Sequence, residues 1–235
     1  MIPSIYKTKN TTMKILKTML NPLRQICMLL LLFSFSNHRA QNQNSQKPLE
    51  QFVETTFEVK DFDVWKPLFL KDSLVRKQNG IKTFVISSKI GQPRQMMNVS
   101  AFGDLKKTKA SMKNPAFLQR IKERGVTNAK SEYYKIYRFD PTPAEKKWVI
   151  MTHKVKNFDV WVAAFDKGKS LRTNAGLIDV LIATNMDDPT MVQVVCDVTD
   201  VAKAEAFYTS KVLKEKMKAA GVIGQPKIEM YESRN

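Results

Sequence analysis

Apolar and polar residues alternate along Val53-Glu54-Thr55-Thr56-Phe57-Glu58-Val59, the period of a strand with one buried side. The period then lengthens. Phe62, Trp65 and Phe69 fall at helical spacing, Asp61 stands at the N-cap and Asp63 in the first turn, where an acid favours the helix dipole. Gly80 closes this helix. Strands are expected over 82–90 and 96–102, with Pro93 in the turn between them. Asp104 caps a second helix, interrupted at Asn114-Pro115, a cap followed by proline at the first helical position. Gly125 closes it, and a last strand follows over 132–138. The order is β-α-β-β-α-β, the ferredoxin-like unit.

The same pattern returns. Phe-Asp-Val-Trp occurs at 62–65 and at 158–161, and at an offset of 96 the chain matches itself without a gap from Val59/Val155 to Val126/Val222, with 19 identities in 68 positions. A period this long is a whole small domain copied once, not a solenoid repeat. The second copy has strands over 148–155, 178–186, 191–198 and 227–231. Asn157, Asp200 and Ser210 are its helix caps, Gly176 and Gly221 its closing glycines, and Pro189 lies in its hairpin turn. The expected fold is α+β: two tandem ferredoxin-like units, 51–140 and 141–235, packed sheet to sheet as an intrachain pseudo-dimer. One sheet face of each unit is left uncovered by its own helices and needs a partner. Asp140-Pro141-Thr142-Pro143 is the short, stiff join.

The second copy carries Lys156-x-Phe158-Asp159-x-Trp161, Phe165-Asp166, Arg172-x-x-Ala175-Gly176, Asp187-Asp188-Pro189, Ala202-Lys203-Ala204 and Leu213-Lys214-x-x-Met217-x-x-Ala220-Gly221-Val222-x-Gly224-x-Pro226-x-Ile228. This pattern resembles the dimeric α+β barrel superfamily, of the antibiotic-biosynthesis-monooxygenase-like and stress-responsive types, over roughly residues 50–233. The first copy departs from it. Gly91-Gln92-Pro93 replaces the double aspartate, Asn79 replaces the alanine before glycine, and the Gly-x-Pro before the last strand is missing. The resemblance implies a barrel. It does not name a reaction, because the superfamily contains oxygenases, haem-degrading enzymes, lyases and members with no assigned activity.

Residues 1–40 change the cellular picture. They carry six basic residues and no acid, and the apolar run Ile26–Phe35 suits the h-region of an export signal but is too short for a spanning helix. Cleavage after Ala40 is expected, with Met13 as an alternative start and an uncleaved anchor as the other reading. Residues 41–50 read as a polar, disordered leader. The full chain carries 39 Lys+Arg against 22 Asp+Glu, a net +17. Without residues 1–40 it retains 33 against 22, or +11. The excess sits on the first copy, with 18 basic against 10 acidic over residues 48–140, whereas residues 141–235 have 14 against 12. Solubility is the plain reading of that charge, and export makes nucleic acid an unexpected partner. The expected location is periplasmic or extracellular, as a monomeric pseudo-dimer with no stable membrane span after cleavage. Cys196 is the one cysteine after the leader and reads as a small buried hydrophobe.

Few residues offer chemistry. His153 is the one histidine left after the leader and shares a strand face with Val149, Met151 and Val155. It is either a proton acceptor aimed into an apolar pocket or a satisfied, partly buried histidine. Arg76 and Arg172 lie on the apolar stripes of Trp65 and Trp161. Each is either an anchor for a ligand anion or an ion-pair partner of an acid such as Asp104 or Asp200. Trp65, Trp161 and Phe165 either line a ligand cavity or fix a helix to its sheet. Asp187-Asp188-Pro189 reads as turn chemistry rather than a metal pair. No Gly-rich phosphate loop suggests a flavin or nicotinamide, His153 alone does not make a haem site, and no cofactor or metal is expected. The leading expectation is an exported protein that binds a small, mainly apolar molecule inside the barrel. The alternatives are a cofactor-independent monooxygenase acting on a phenol or quinol, with His153 as base and Arg172 holding the anion, and a structural or interaction module.

Overall fold

The computed structural model describes residues 49–142 and 145–235. The expected leader and Pro143 lie outside the described residues, as does all of the polar segment 41–50 except its last two positions. The first half runs β1 (Gln51–Val59), α1 (Phe62–Lys71), α2 (Ser73–Gln78), β2 (Ile81–Lys89), β3 (Gln92–Phe102), α3 (Leu105–Met112), α4 (Pro115–Glu123) and β4 (Val126–Phe139). The second half repeats it as β5 (Lys147–Val155), α5 (Phe158–Lys167), α6 (Lys169–Asn174), β6 (Leu177–Asn185), β7 (Met191–Val198), α7 (Val201–Thr209), α8 (Lys211–Ala219) and β8 (Val222–Ser233).

The local signals work as their chemistry requires. Asp61 Oδ1 accepts from the backbone N–H of Asp63 at 2.8 Å and of Val64 at 3.1 Å, and Asn157 Oδ1 accepts from that of Val160 at 2.9 Å. Asp104, Asn114, Asp200 and Ser210 cap in the same way. Gly176 has φ +71°, and an added Cβ would lie 2.9 Å from Asp200 Cβ, so both conformation and space demand glycine there. Some expectations change. The first helix of each copy is also broken, at Asp72 and at Gly168. Pro93 lies inside β3 and Gly91, with φ +76°, makes the turn. The last strands are longer than expected, because each pairs with its own sheet and then continues to the other copy's sheet.

That continuation closes the molecule. All pairings are antiparallel, and the strands form one closed barrel in the order β1-β3-β2-β8-β5-β7-β6-β4. One seam joins β4 to β6 from Tyr134↔Asn185 to Phe139↔Leu181; the other joins β2 to β8 from Ser87↔Ser233 to Lys89↔Tyr231. A barrel has no open edge on which another chain could add a strand. Both faces of the sheet are therefore covered. Val149, Met151, Val155, Val194 and Cys196 pack outward against Trp161 and Phe165 of α5, while Phe52, Tyr134, Met97, Ile150 and Tyr231 pack inside the barrel.

Candidate functional site

The barrel interior was the expected ligand site, and buried side chains from both halves pack there. Phe52 stacks on Tyr134 with centroids 5.1 Å apart, and Glu54 accepts a 3.0 Å hydrogen bond from Gln193 Nε2 across from the other half. The last strand of each half carries one motif, Lys-x-Glu-x-Tyr, at 130–134 and again at 227–231, whose tyrosines are buried inside while the lysines are exposed. Lys130 Nζ meets Glu132 at 2.7 Å and Tyr134 Oη donates to Glu132 Oε2 at 2.8 Å. Likewise Lys227 Nζ meets Glu229 at 2.6 Å and Tyr231 Oη donates to it at 3.3 Å. Burial opposes ionisation of Glu132, but the Lys130 and Tyr134 hydrogen bonds outweigh it and hold the carboxyl below its usual range. Glu54 has no cation of its own, and burial, only partly offset by Gln193, pushes it up to about 7. The second motif sits 97, not 96, residues after the first, so an ungapped comparison does not align them.

Two cavities lie between helices and sheet, one in each half. Under α5 and α6 a cavity of about 280 Å³ is walled by Met151, Trp161, Phe165, Leu171, Val194 and Met217, with Cys196, Tyr208 and Arg172 as its more buried polar groups and the exposed Lys167 and Lys216 also lining it. Its counterpart under α1 and α2, of about 150 Å³, is lined by Trp65, Phe69 and Arg76. The geometry therefore brings Trp161, Phe165 and Arg172 to one cavity and Trp65 and Arg76 to the other. Both tryptophans are also core residues, each 3% exposed, so wall and core are the same side chain. Truncating either to alanine should cost about 3–5 kcal/mol.

Arg172 is held on three sides. Nε and Nη2 donate to the two oxygens of Asp179 at 2.6 and 2.7 Å, Nη1 donates to the Phe165 carbonyl at 2.7 Å, and the guanidinium lies 3.4 Å from the Phe165 ring centroid. Its partner is neither Asp104 nor Asp200 but an acid seven residues on, at the start of β6. Cys196 Sγ lies 3.6 Å from the same carboxylate, and burial followed by that charge raises the thiol well above its ordinary range, so it is no nucleophile. The two remaining Arg172 N–H groups can still receive a ligand oxygen, but the charge is already neutralised.

His153 stands on the helix-facing side of β5, 2% exposed, with its ring 5.2 Å from that of Trp161. It does not line the cavity. Neither ring nitrogen has a hydrogen-bond partner among the described residues, and burial lowers its pKa to about 4. The expectation of a satisfied, partly buried histidine is thus corrected: the ring is fully buried and unpaired, in the position that Phe57 fills in the first half. Asp187 and Asp188 serve the turn. The Asn185 side chain accepts from both their N–H groups, and Asp188 accepts from Thr190. No group of three or more His, Cys, Asp or Glu suited to a metal occurs among the described residues, and no described helix is long and apolar enough to cross a membrane.

No family model and no curated protein matches the sequence. Solved structures do match the fold. An anthrone oxidase-like protein superposes with a TM-score of 0.56 at 12% identity, over 80% of this chain and 93% of its own. A proposed monooxygenase from Lactobacillus acidophilus gives 0.52 at 10% identity, over 79% and 95%, and a heme-binding protein from Thermus thermophilus gives 0.50 at 13%, over 79% and 92%. The fold is that of the dimeric α+β barrels. Each of these alignments takes in 79–80% of this chain, more than either half alone, within a single partner chain.

Proposed function

We propose that this α+β barrel binds a small, mainly apolar molecule in the cavity beneath α5 and α6. The observation that carries the reading is the cavity's make-up: apolar walls from Trp161, Phe165, Leu171 and Met217, with Arg172 held in place by Asp179, with Cys196 and Tyr208 beside it, and with the charges of Lys167 and Lys216 on exposed side chains. Its volume of about 280 Å³ lies near the lower end of the roughly 300–1,000 Å³ typical of small-molecule sites. Apolar burial supplies affinity there, and the unused Arg172 donors orient a ligand oxygen without requiring a full negative charge. The protein acts as a single chain after export, a reading supported by the basic and apolar pattern of residues 1–40 and by a barrel that closes within one polypeptide.

The oxygenase reading is the weaker one. It needs His153 to take a proton from the substrate, and His153 lies off the cavity with Trp161 against its ring. The oxidase-like and monooxygenase neighbours share the fold with this chain, and a fold does not transmit a reaction.

The test is calorimetric titration of the protein with naphthalene, beside a variant, Ala164→Phe, that fills the cavity from α5. Binding by the parent and its loss in a folded variant support the reading. Equal binding by both, or none by either, removes it. Export is tested separately, by sequencing the N-terminus of the secreted protein.

A further inference from the structure

Exposed Lys167 and Lys216 also line the second cavity, so the two cavities differ not in the sign of their charge but in how the arginine beneath the helices is paired, and that difference traces to a few exchanged positions. In the second half the cavity arginine has its own carboxylate, Asp179. In the first half the matching position is Thr83, whose hydroxyl pairs with Ser100 at 2.8 Å, so Arg76 has lost that counter-charge. Arg76 Nη1 donates to the Phe69 carbonyl at 2.6 Å and its guanidinium lies 3.7 Å from the Phe69 ring centroid, but it makes no ion pair among the described residues.

An acid does line this cavity, Asp72, where the second half has Gly168. It is already taken. Arg124, in place of Ala220, grips both its oxygens, and Arg120 Nε stands 3.4 Å from Oδ2. Arg120 Nε is itself buried with no hydrogen-bond partner among the described residues. Three guanidinium groups and one carboxylate thus face a cavity of about 150 Å³, an excess of two positive charges. Trp65 and Phe69 line the same cavity, Phe69 with Arg76 over its ring, and hydroxyl groups of Thr55 and Ser100 stand where the second half has Met151 and Cys196.

We infer that the first-half cavity is a separate binding site for a small organic anion, with its ring or short apolar body against Trp65 and Phe69 and its sulfonate, carboxylate or phosphate on Arg76 and Arg120. A cavity of roughly 150 Å³ accommodates a single benzene ring. Partly buried guanidinium groups with spare donors bind oxyanions strongly, because the hydrogen bonds are charge-assisted and screening is weak. Asn79, Ser111, Phe117 and Arg120 also line an adjoining depression that contains Lys107, a further cation on the approach. The inference does not depend on the apolar-ligand reading of the second half, since it concerns a different cavity.

Calorimetric titration of the full chain with benzenesulfonate, phenol and inorganic sulfate tests it. Benzenesulfonate should bind about tenfold or more tightly than either of the others, and less tightly as salt is raised. Thr83→Asp restores the carboxylate that the second half has and should remove about tenfold or more of that affinity, while the equally shaped Thr83→Asn stays within about threefold of the parent. A sulfonate that binds no better than phenol overturns the site, as do two Thr83 variants that behave alike. Should Thr83→Asp fail to fold, Arg76→Gln decides: loss of the preference for sulfonate over phenol supports the inference, and an unchanged preference overturns it.

Discussion

Replacing His153 with phenylalanine should stabilise the protein, and more in acid than in base. The first half supplies the precedent: Phe57 occupies the matching position against Trp65 with centroids 5.1 Å apart, and His153 meets Trp161 at 5.2 Å. Phenylalanine therefore fits and removes two buried ring nitrogens that lack partners, a gain of about 1–3 kcal/mol at any pH. A second gain depends on pH. Burial lowers the histidine from 6.5 to about 4, so the unfolded chain takes up a proton below 6.5 that the native protein refuses until about 4. The native state is thus at full advantage above pH 6.5 and loses ground as the pH falls through that window. At pH 5 the penalty is about 2 kcal/mol, and it needs little solvent discount because the ring is 2% exposed. Urea unfolding of parent and His153→Phe at pH 8 and pH 5 measures both parts. The gain at pH 5 should exceed that at pH 8 by about 2 kcal/mol. Equal gains would mean that His153 titrates normally, and a loss at pH 8 would mean that it has a partner; either refutes the reasoning.

Glu54 should show the opposite pH dependence. Its carboxyl is raised from 4.5 to about 7, so its contribution is complete below pH 4.5 and fades as the pH rises to about 7. Glu54→Gln should flatten that decline, by up to about 3 kcal/mol between pH 4.5 and pH 7 in urea unfolding, and an unaltered slope would show that Glu54 is not its source. Asp179→Asn leaves the buried Arg172 without its counter-charge and should cost on the order of 3 kcal/mol in the same assay; a neutral result would mean that Arg172 swings to solvent. Asn157→Ala removes the cap of α5 and should cost about 1 kcal/mol, seen as a lower denaturant midpoint with the slope unchanged.

Helix starts and the duplication were legible because they depend on near neighbours. Asp61, Asn157 and Asp104 cap through atoms two or three residues away, and the shared Phe-Asp-Val-Trp marks the same turn twice. The position of the cavities was not legible. Alternation identifies a buried face when the other face is wet, and here both are dry: Phe52, Val53 and Glu54 are consecutive and all buried. The alternation that groups His153 with Val149, Met151 and Val155 therefore does not say which side they face, and all four lie beneath α5. The Arg172–Asp179 pair was missed because the break at Gly168 and the turn at Gly176 fold the arginine back on a strand that a continuous helix would carry away from it. The twin Lys-x-Glu-x-Tyr was visible in the sequence to a comparison that allowed one inserted residue, and its signal was a charged pair on strands otherwise expected to be apolar inside.

The proposed ligand site lies beneath the helices and not between the sheets. A crystal structure of the protein soaked with naphthalene tests it most directly. A ring bound against Trp161 and Phe165, with the barrel interior around Glu54 and Gln193 unchanged, is the expected result. A ring lodged inside the barrel, displacing Tyr134 or Tyr231, would contradict it.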